Sequence, residues 1–506
     1  MRIALIAFLT SALTALVVTP LLLRVLLARG IYGHARIKEG VEHIPVPRLG
    51  GVAVCIATTL ALTAVPLAAR GAGMPSDTPL NFFVGLLAAS WLLFVTGVLD
   101  DLYGLTPRAK LAAQVAGALI AWSAGFRIEQ LTFSGTLDLG ALSLPVTVLW
   151  IVGVTNAFNL IDGLDGLATG IGLVALATTL AVSAKLGNWE VALVCAALAG
   201  ALAGFLRYNL RPARIFLGDS GSLFVGFMLA VLSVHGSTKS TTAVLTVIPL
   251  LVLGLPLLDT ALAILRRWLR GTPISSPDER HLHHRLVAIG LTHTRAAVLL
   301  FLAAAGLATL ALMMVFAPPR AVVFIAAGGA ACTAAILLFG IKRLGYHEFV
   351  EAGAVVAGGA SRLRRSIRDR IHARDVSHVV VQAESMEHLR AILTDNAEVM
   401  GMLDLVLCRC SAIDGSRSGI SAEHAATALR VDFPVHADGE DGDPWVLRAW
   451  CDGRDPHALP EAVRTASILA DAVRGWLVNG PPPPRPAHRP LEPARPVTLA
   501  SESAAW

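Results

Sequence analysis

The chain has 506 residues, 55% of them hydrophobic and only 15% charged, with a mean hydropathy of +0.66. A soluble globular protein carries about 25% charged residues, so the composition excludes an ordinary soluble domain. The net charge of +5 sits mostly in short loops between apolar runs, where it reports topology and gives no reason to expect nucleic acid as a partner.

Apolar runs recur along the first 345 positions, each long enough to cross roughly 30 Å of hydrocarbon. They predict eleven spans, near 3–27, 49–69, 80–99, 109–125, 142–160, 165–184, 189–206, 220–236, 241–265, 294–317 and 320–342. The first ends in "LLLRVLLARG", which lacks a small-residue cleavage site and reads as a retained anchor. Lys and Arg concentrate after the odd-numbered spans, at Arg29, Arg36, Lys38, Arg48, Arg108, Lys110, Arg207, Arg211, Arg214, Arg266, Arg267, Arg270, Arg280 and Arg285. Those loops are therefore expected on the cytoplasmic side, with the N-terminus out and the C-terminus in.

Past the last span, residues 346–374 hold the basic stretch "SRLRRSIRDRIHARD", expected as a juxtamembrane helix or linker near anionic headgroups. Residues 375–479 read as strand, helix, strand, then a strand pair and a helix near 458–478, a small cytoplasmic α/β domain without a chemical motif. Residues 480–506 are Pro-rich and expected to be disordered. The fold class is thus an all-α polytopic membrane protein of about eleven transmembrane helices over residues 1–345, followed by an α/β domain and a tail. Cys408 and Cys410 lie in that α/β domain without a second pair at ligand spacing, which argues against zinc.

The polar residues are not scattered. An ionisable residue in or beside a span is costly and by default marks function. Asp100 and Asp101 stand in "GVLDDLYGLTPRAK", Asp162 and Asp165 in "TNAFNLIDGLDGLATG", and Asp219 in "RIFLGDSGSLFVG". By loop parity all of these open on the cytoplasmic face, together with "PVPRLGG" and "DERHLHHRL". Independent helix caps would fall on both faces. Gly163 and Gly166 allow a turn that gathers Asn156, Asn159, Asp162 and Asp165, with a new helix starting at Asp165. A helix start after Gly218 offers backbone amides to an anion. Hard oxygen donors beside phosphate suit magnesium, with Lys110 and Arg280 as compensating charge and His281, His283 and His284 as adjustable donors.

Together, "PVPRLGG", "DDLYGLTPRAK", "NAFNLIDGLDGLATG", "YNLRPARIFLGDSGSLFVG", "LDTALAILRR" and "HLHHRL", covering residues 43–286, resemble the polyprenyl-phosphate N-acetylhexosamine-1-phosphate transferase superfamily. Within it the chain most resembles the bacterial undecaprenyl-phosphate GlcNAc-1-phosphate transferases. The resemblance implies transfer of a sugar-1-phosphate from a UDP-sugar to undecaprenyl phosphate at the cytoplasmic face of the inner membrane, with release of UMP. It implies that Asn159 and Asp219 hold Mg2+, with Mn2+ as a substitute. Asp100 and Asp101 become the paired carboxylates assigned to the lipid-phosphate nucleophile, as base or as electrostatic positioner, and Lys110 a phosphate contact. Asp162, Asp165, Asn209 and Phe216 belong to the nucleotide pocket; Arg280, His281, His283 and His284 contact sugar or diphosphate, with Arg48 and His43 at the rim. Asp259 reads as structural, near Arg266. Leu282 interrupts the three consecutive histidines typical of the muramyl-pentapeptide branch, which favours the GlcNAc-type branch, with N-acetylquinovosamine or another modified hexosamine as the alternative sugar. A homodimer and a cytoplasmic partner of the C-terminal domain are compatible with this reading. A membrane transporter is the rival from another class, but the carboxylates sit at span ends and no repeat is visible.

Overall fold

The computed structural model describes residues 2–32, 46–71, 80–132, 136–237, 243–270, 281–343, 363–409, 428–435, 444–452 and 458–481. His43, Arg280, Cys410 and the expected tail from residue 482 onward lie outside the described residues. The chain divides into two compact units, Met1–Trp268 with Thr272–Gly345, and Leu269–Gly271 with Tyr346–Trp506.

The first unit is helical: α1 (Arg2–Ala28), α2 (Gly51–Gly71), α3 (Leu80–Tyr103), α4 (Pro107–Ser123), α5 (Ser143–Leu160), α6 (Leu167–Lys185), α7 (Trp189–Asn209), α8 (Gly218–Ser237), α9 (Ala243–Val252), α10 (Gly254–Arg270), α11 (Leu282–Ala288), α12 (His293–Phe316) and α13 (Pro319–Arg343). A short antiparallel hairpin, β1 (Gln130–Thr132) with β2 (Thr136–Asp138), joins α4 to α5. Among the described residues eight helices are long and apolar enough to span a membrane, fewer than the eleven expected. This is a multi-pass membrane protein. The expected segments are helical, but α4 has only 17 residues and the expected span at 241–265 is two helices. Pro256 explains the second difference, since it has no N–H to give the Val252 carbonyl four residues back.

α8 lies at the centre, with 78% of its apolar window buried against 22% for α1. Around it pack α3, α5, α2 and α6. α3 meets it closely toward its C-terminal end, where a Cβ on Gly97 would strike the Asp219 carbonyl oxygen. Between α4 and α5, buried Gln114 pairs with half-buried Asn156. Gln114 Nε2 donates to Asn156 Oδ1 at 3.1 Å and Asn156 Nδ2 donates to Gln114 Oε1 at 2.6 Å. Closing both amides on each other avoids the cost of an unsatisfied polar group in an apolar surrounding.

The second unit carries a three-stranded antiparallel sheet in the order β3 (Asp404–Arg409), β5 (Trp445–Asp452), β4 (Ala428–Val435). Its helices are α14 (Leu363–Val380), α15 (Met386–Asn396) and α16 (Ala458–Asn479). The stretch 376–380, expected as a strand from its valines, is instead the end of α14. Ala373, Val376 and Val380 are buried together, and that spacing of three and four residues is helical. No Gly or Pro interrupts the run from Leu363 to Val380, so the basic helix simply continues.

Candidate active site

Each conspicuous motif at one end of the first unit has a local reason for its shape. In "DDLYGLTPRAK", α3 ends at Gly104, whose φ of +72° suits glycine, and whose N–H donates to the Asp100 carbonyl at 2.9 Å. Thr106 then caps α4 and Pro107 occupies its first turn. This tight reversal returns Lys110 to Asp100. Asp100 Oδ1 accepts from the Leu105 amide at 2.7 Å, and Oδ2 accepts from Lys110 Nζ at 3.0 Å.

Lys110 also reaches across to α8. Its Nζ donates to Asp219 Oδ2 at 3.0 Å, so one ammonium stands between two carboxylates from different helices. Asp101, the next residue along α3, does something else. It is buried, and its two oxygens accept the backbone amides of Asp219 at 2.8 Å and Ser220 at 2.9 Å. Asp101 is a helix cap supplied from another helix. The amides at the start of α8, expected to be open to an anion, are therefore engaged by protein at these two positions.

The residues before α8 are held by main-chain bonds to the first-loop motif. Phe216 N donates to Pro47 O at 2.8 Å, while Gly50 N and Gly51 N donate to Phe216 O and Leu217 O at 3.0 and 2.9 Å. Gly218 follows with a φ of +72°, and a Cβ there would strike the Arg48 carbonyl oxygen. "PVPRLGG" thus clamps the approach to α8, and the Arg48 residue is exposed.

The turn between α5 and α6 completes the cluster. Asn159 Nδ2 donates to Ser222 Oγ at 2.7 Å, which orients the amide oxygen, a hard donor, away from that hydroxyl. Asp162 is crowded by charge. Burial pushes its carboxyl up to about 7, Asp219 and Asp101 add to the rise, and Arg48 and the Gly218 amide oppose it. Asp165 does not open a helix as expected; α6 starts at Leu167, after Gly166 in a left-handed conformation. Asp165 Oδ2 instead accepts from Ala213 N at 3.2 Å. Asn209 is fully enclosed, accepting from Thr169 Oγ1 at 2.8 Å and donating to the Ile215 carbonyl at 3.0 Å, so it braces the 210–217 loop.

The histidines adjoin the same turn. A Cβ on Gly163 would strike His283 Nε2, which places that ring directly on the "DGLDG" backbone. His281 and His283 are buried and their rings lie parallel at 6.1 Å, while the exposed His284 lies 4.1 Å from His283. Burial drives His283 down to about 4, with its histidine neighbours lowering it further and Asp259 opposing, so the ring is neutral near pH 7. Sequence reasoning missed Ser222 and Gly97 and gave His281 no partner: its Nδ1 lies 3.2 Å from Asp259 Oδ2.

The donor set suits a hard divalent ion. Among the described residues no three His, Cys, Asp or Glu side chains gather as a metal cage. Asp219 and the Asn159 amide oxygen fit an ion that takes one or two protein oxygens and fills its shell with water and phosphate.

The family model for glycosyl transferase family 4 matches residues 83–237, the stretch holding Asp100, Lys110, Asn159 and Asp219. Over 300 residues the chain is 36% identical to a probable undecaprenyl-phosphate N-acetylglucosaminyl 1-phosphate transferase of Bacillus subtilis, covering 59% of this chain and 81% of that protein. The chain belongs to glycosyl transferase family 4. This family 4 chain is also 34% identical over 289 residues to the decaprenyl-phosphate N-acetylglucosaminephosphotransferase of Mycolicibacterium smegmatis, covering 51% of this chain and 69% of that one. A phospho-N-acetylmuramoyl-pentapeptide-transferase of Streptococcus pyogenes is 32% identical over 246 residues, covering 46% of this chain and 71% of that one.

Proposed function

We propose that this protein transfers N-acetylglucosamine-1-phosphate from UDP-N-acetylglucosamine to a polyprenyl phosphate of the undecaprenyl type, starting a surface polysaccharide or wall polymer. The observation that carries the reading is the meeting of Asp100, Asp101, Lys110 and Asp219 from three helices inside the family-matched region. A phosphate oxygen of the lipid attacks the β-phosphorus of the donor, the bond to the bridging oxygen breaks, and UMP leaves with the electron pair. Phosphoryl transfer of this kind demands alignment and charge compensation more than covalent help.

The chain's own residues supply both. Lys110 offsets the excess of carboxylates and sits where incoming phosphate would compete for it. Asp101 fixes the first turn of α8 and so sets where Asp219 points, which supports a positioning role for it over that of a base. Asp219 and Asn159 would hold Mg2+, which when bound supplies positive charge to the diphosphate. Asp162 and Asp165, beside the 210–217 loop, are the proposed nucleotide contacts, with Phe216 at its edge. Asn209 would act by bracing that loop. His283 on the 161–166 turn, with His281 and His284 beside it, is proposed to meet the sugar or diphosphate. The site is proposed to face the cytoplasm, where both UDP-sugar and the lipid phosphate are available.

Membranes containing the protein, given undecaprenyl phosphate, magnesium and UDP-N-acetylglucosamine, are expected to release UMP in proportion to lipid product. Offering UDP-N-acetylmuramoyl-pentapeptide in parallel tests the donor, since relatives acting on both classes match. Release from the pentapeptide donor alone would overturn the sugar assignment, and release from neither would overturn the reaction.

A further inference from the structure

Asp259 sits in α10, far from every carboxylate of the cluster in sequence, and is 3% exposed. Both its oxygens are directed at the start of α11. Oδ1 accepts from the Leu282 amide at 2.9 Å, and Oδ2 lies 3.2 Å from His281 Nδ1. A carboxylate can only accept, so the proton between them belongs to His281 Nδ1, and Nε2 is left as the ring's exchangeable position. His281 is itself only 5% exposed and parallel to His283, whose ring rests on Gly163. An unbroken line of contacts therefore runs from Asp259 through the two imidazoles to the turn carrying Asp162.

We propose that Asp259 is a positioning residue for the transfer reaction: it fixes His281 in the Nδ1-protonated form and starts α11 where His283 seats on the 161–166 turn. The proposal rests on the reaction proposed above for its kinetic arm only. Asp259 acts through His281, in the way a carboxylate behind a functional histidine sets its tautomer and orientation. An amide at position 259 has nearly the same shape but can donate to Nδ1, which would move the ring proton to Nε2.

The test combines a spectrum with a mutant cycle on the full-length protein in detergent. Nitrogen-15 histidine spectra at neutral pH, with the His281 signal identified by its loss in His281→Gln, are expected to show the proton on Nδ1. A proton on Nε2 in the unaltered protein would overturn the proposal, whatever the enzyme acts on. In UMP release, Asp259→Asn is expected to lower kcat by ~10- to 100-fold, the usual range for such supporting carboxylates. It should cost little more in a His281→Gln background. Equal losses in both backgrounds would mean that Asp259 does not act through His281. Asp259→Glu, which keeps the charge, should retain more activity than Asp259→Asn at equal membrane levels; the reverse ranking would mark a packing role and sink the idea. Absence of UMP release from the unaltered enzyme would count against the proposed reaction, while the proton position would still decide the role of Asp259.

Discussion

The same side-chain types serve opposite ends in the two units. In the C-terminal unit Asp432 and Arg448 face each other in register on β4 and β5, and Arg448 Nε donates to Asp432 Oδ1 at 2.9 Å. Arg430 joins them from the same strand as Asp432, at 3.4 Å. There Asp432 has two arginines beside it, and the pairing closes within one sheet. In the first unit two acids from different helices share one lysine, a third caps a neighbouring helix, and a fourth, Asp162, is pushed toward neutrality. Surplus charge held against desolvation is not needed to build a helix bundle. It is the mark of a place where something of the opposite charge is expected to bind.

That contrast can be broken most severely at Asp219. Asp219→Ala is expected to lower UMP release on the order of 10^3-fold, comparable to removing a principal electrostatic contact of a transition state. Melting in detergent should change little, because the start of α8 remains capped by Asp101. Activity surviving in Asp219→Ala with chelator present would count against the metal assignment. Lys110→Met leaves Asp100 and Asp219 without their shared cation. Turnover should fall about 100-fold, with the donor KM raised as well.

Asp101→Asn tests position against chemistry. One amide oxygen cannot accept both N–H groups well, so stability should drop by about 1–3 kcal/mol, read from the detergent melting temperature together with lost turnover. A full loss of activity with no change in melting would favour the base role instead. Arg448→Ala should cost the C-terminal unit roughly 2–3 kcal/mol, at the lower side for a broken buried pair because Asp432 is partly solvated. Proteolysis within residues 363–481 would report it, while UMP release persists.

The smallest effect is a slope. His283 is neutral in the fold down to about pH 4, whereas an unfolded histidine takes up its proton near 6.5. Its contribution to stability is therefore complete above about pH 6.5 and is lost as the pH falls toward 4. His283→Gln should flatten the dependence of melting on pH in that window.

Much of this site was legible in the sequence because membranes forbid idle polarity. Asp100, Asp162 and Asp219 stand out against apolar runs, and loop charge alone predicts that they share one face. The "DDLYGLTPRAK" reversal could be anticipated from Gly104, Thr106 and Pro107, whose backbone preferences are local. The roles of two adjacent aspartates could not. Asp100 and Asp101 look alike in a row of letters, yet a rotation of 100° along α3 sends one to Lys110 and the other to the amides of α8. The strand expected at 376–380 failed for a related reason: β-branched residues favour a strand only until a buried face at helical spacing outweighs the preference.

By itself, then, the sequence determined that the chain crosses a membrane many times and which motifs set polar residues against the apolar runs, because hydropathy and residue type act locally. Only the tertiary structure decided which partner each polar atom takes. Lys110 with Asp219, Asp101 with the start of α8 and Asp259 with His281 are joined across 109, 118 and 22 residues of chain. The first two are closed by helix packing around α8 and the third by α10 meeting the start of α11, and no local propensity encodes them.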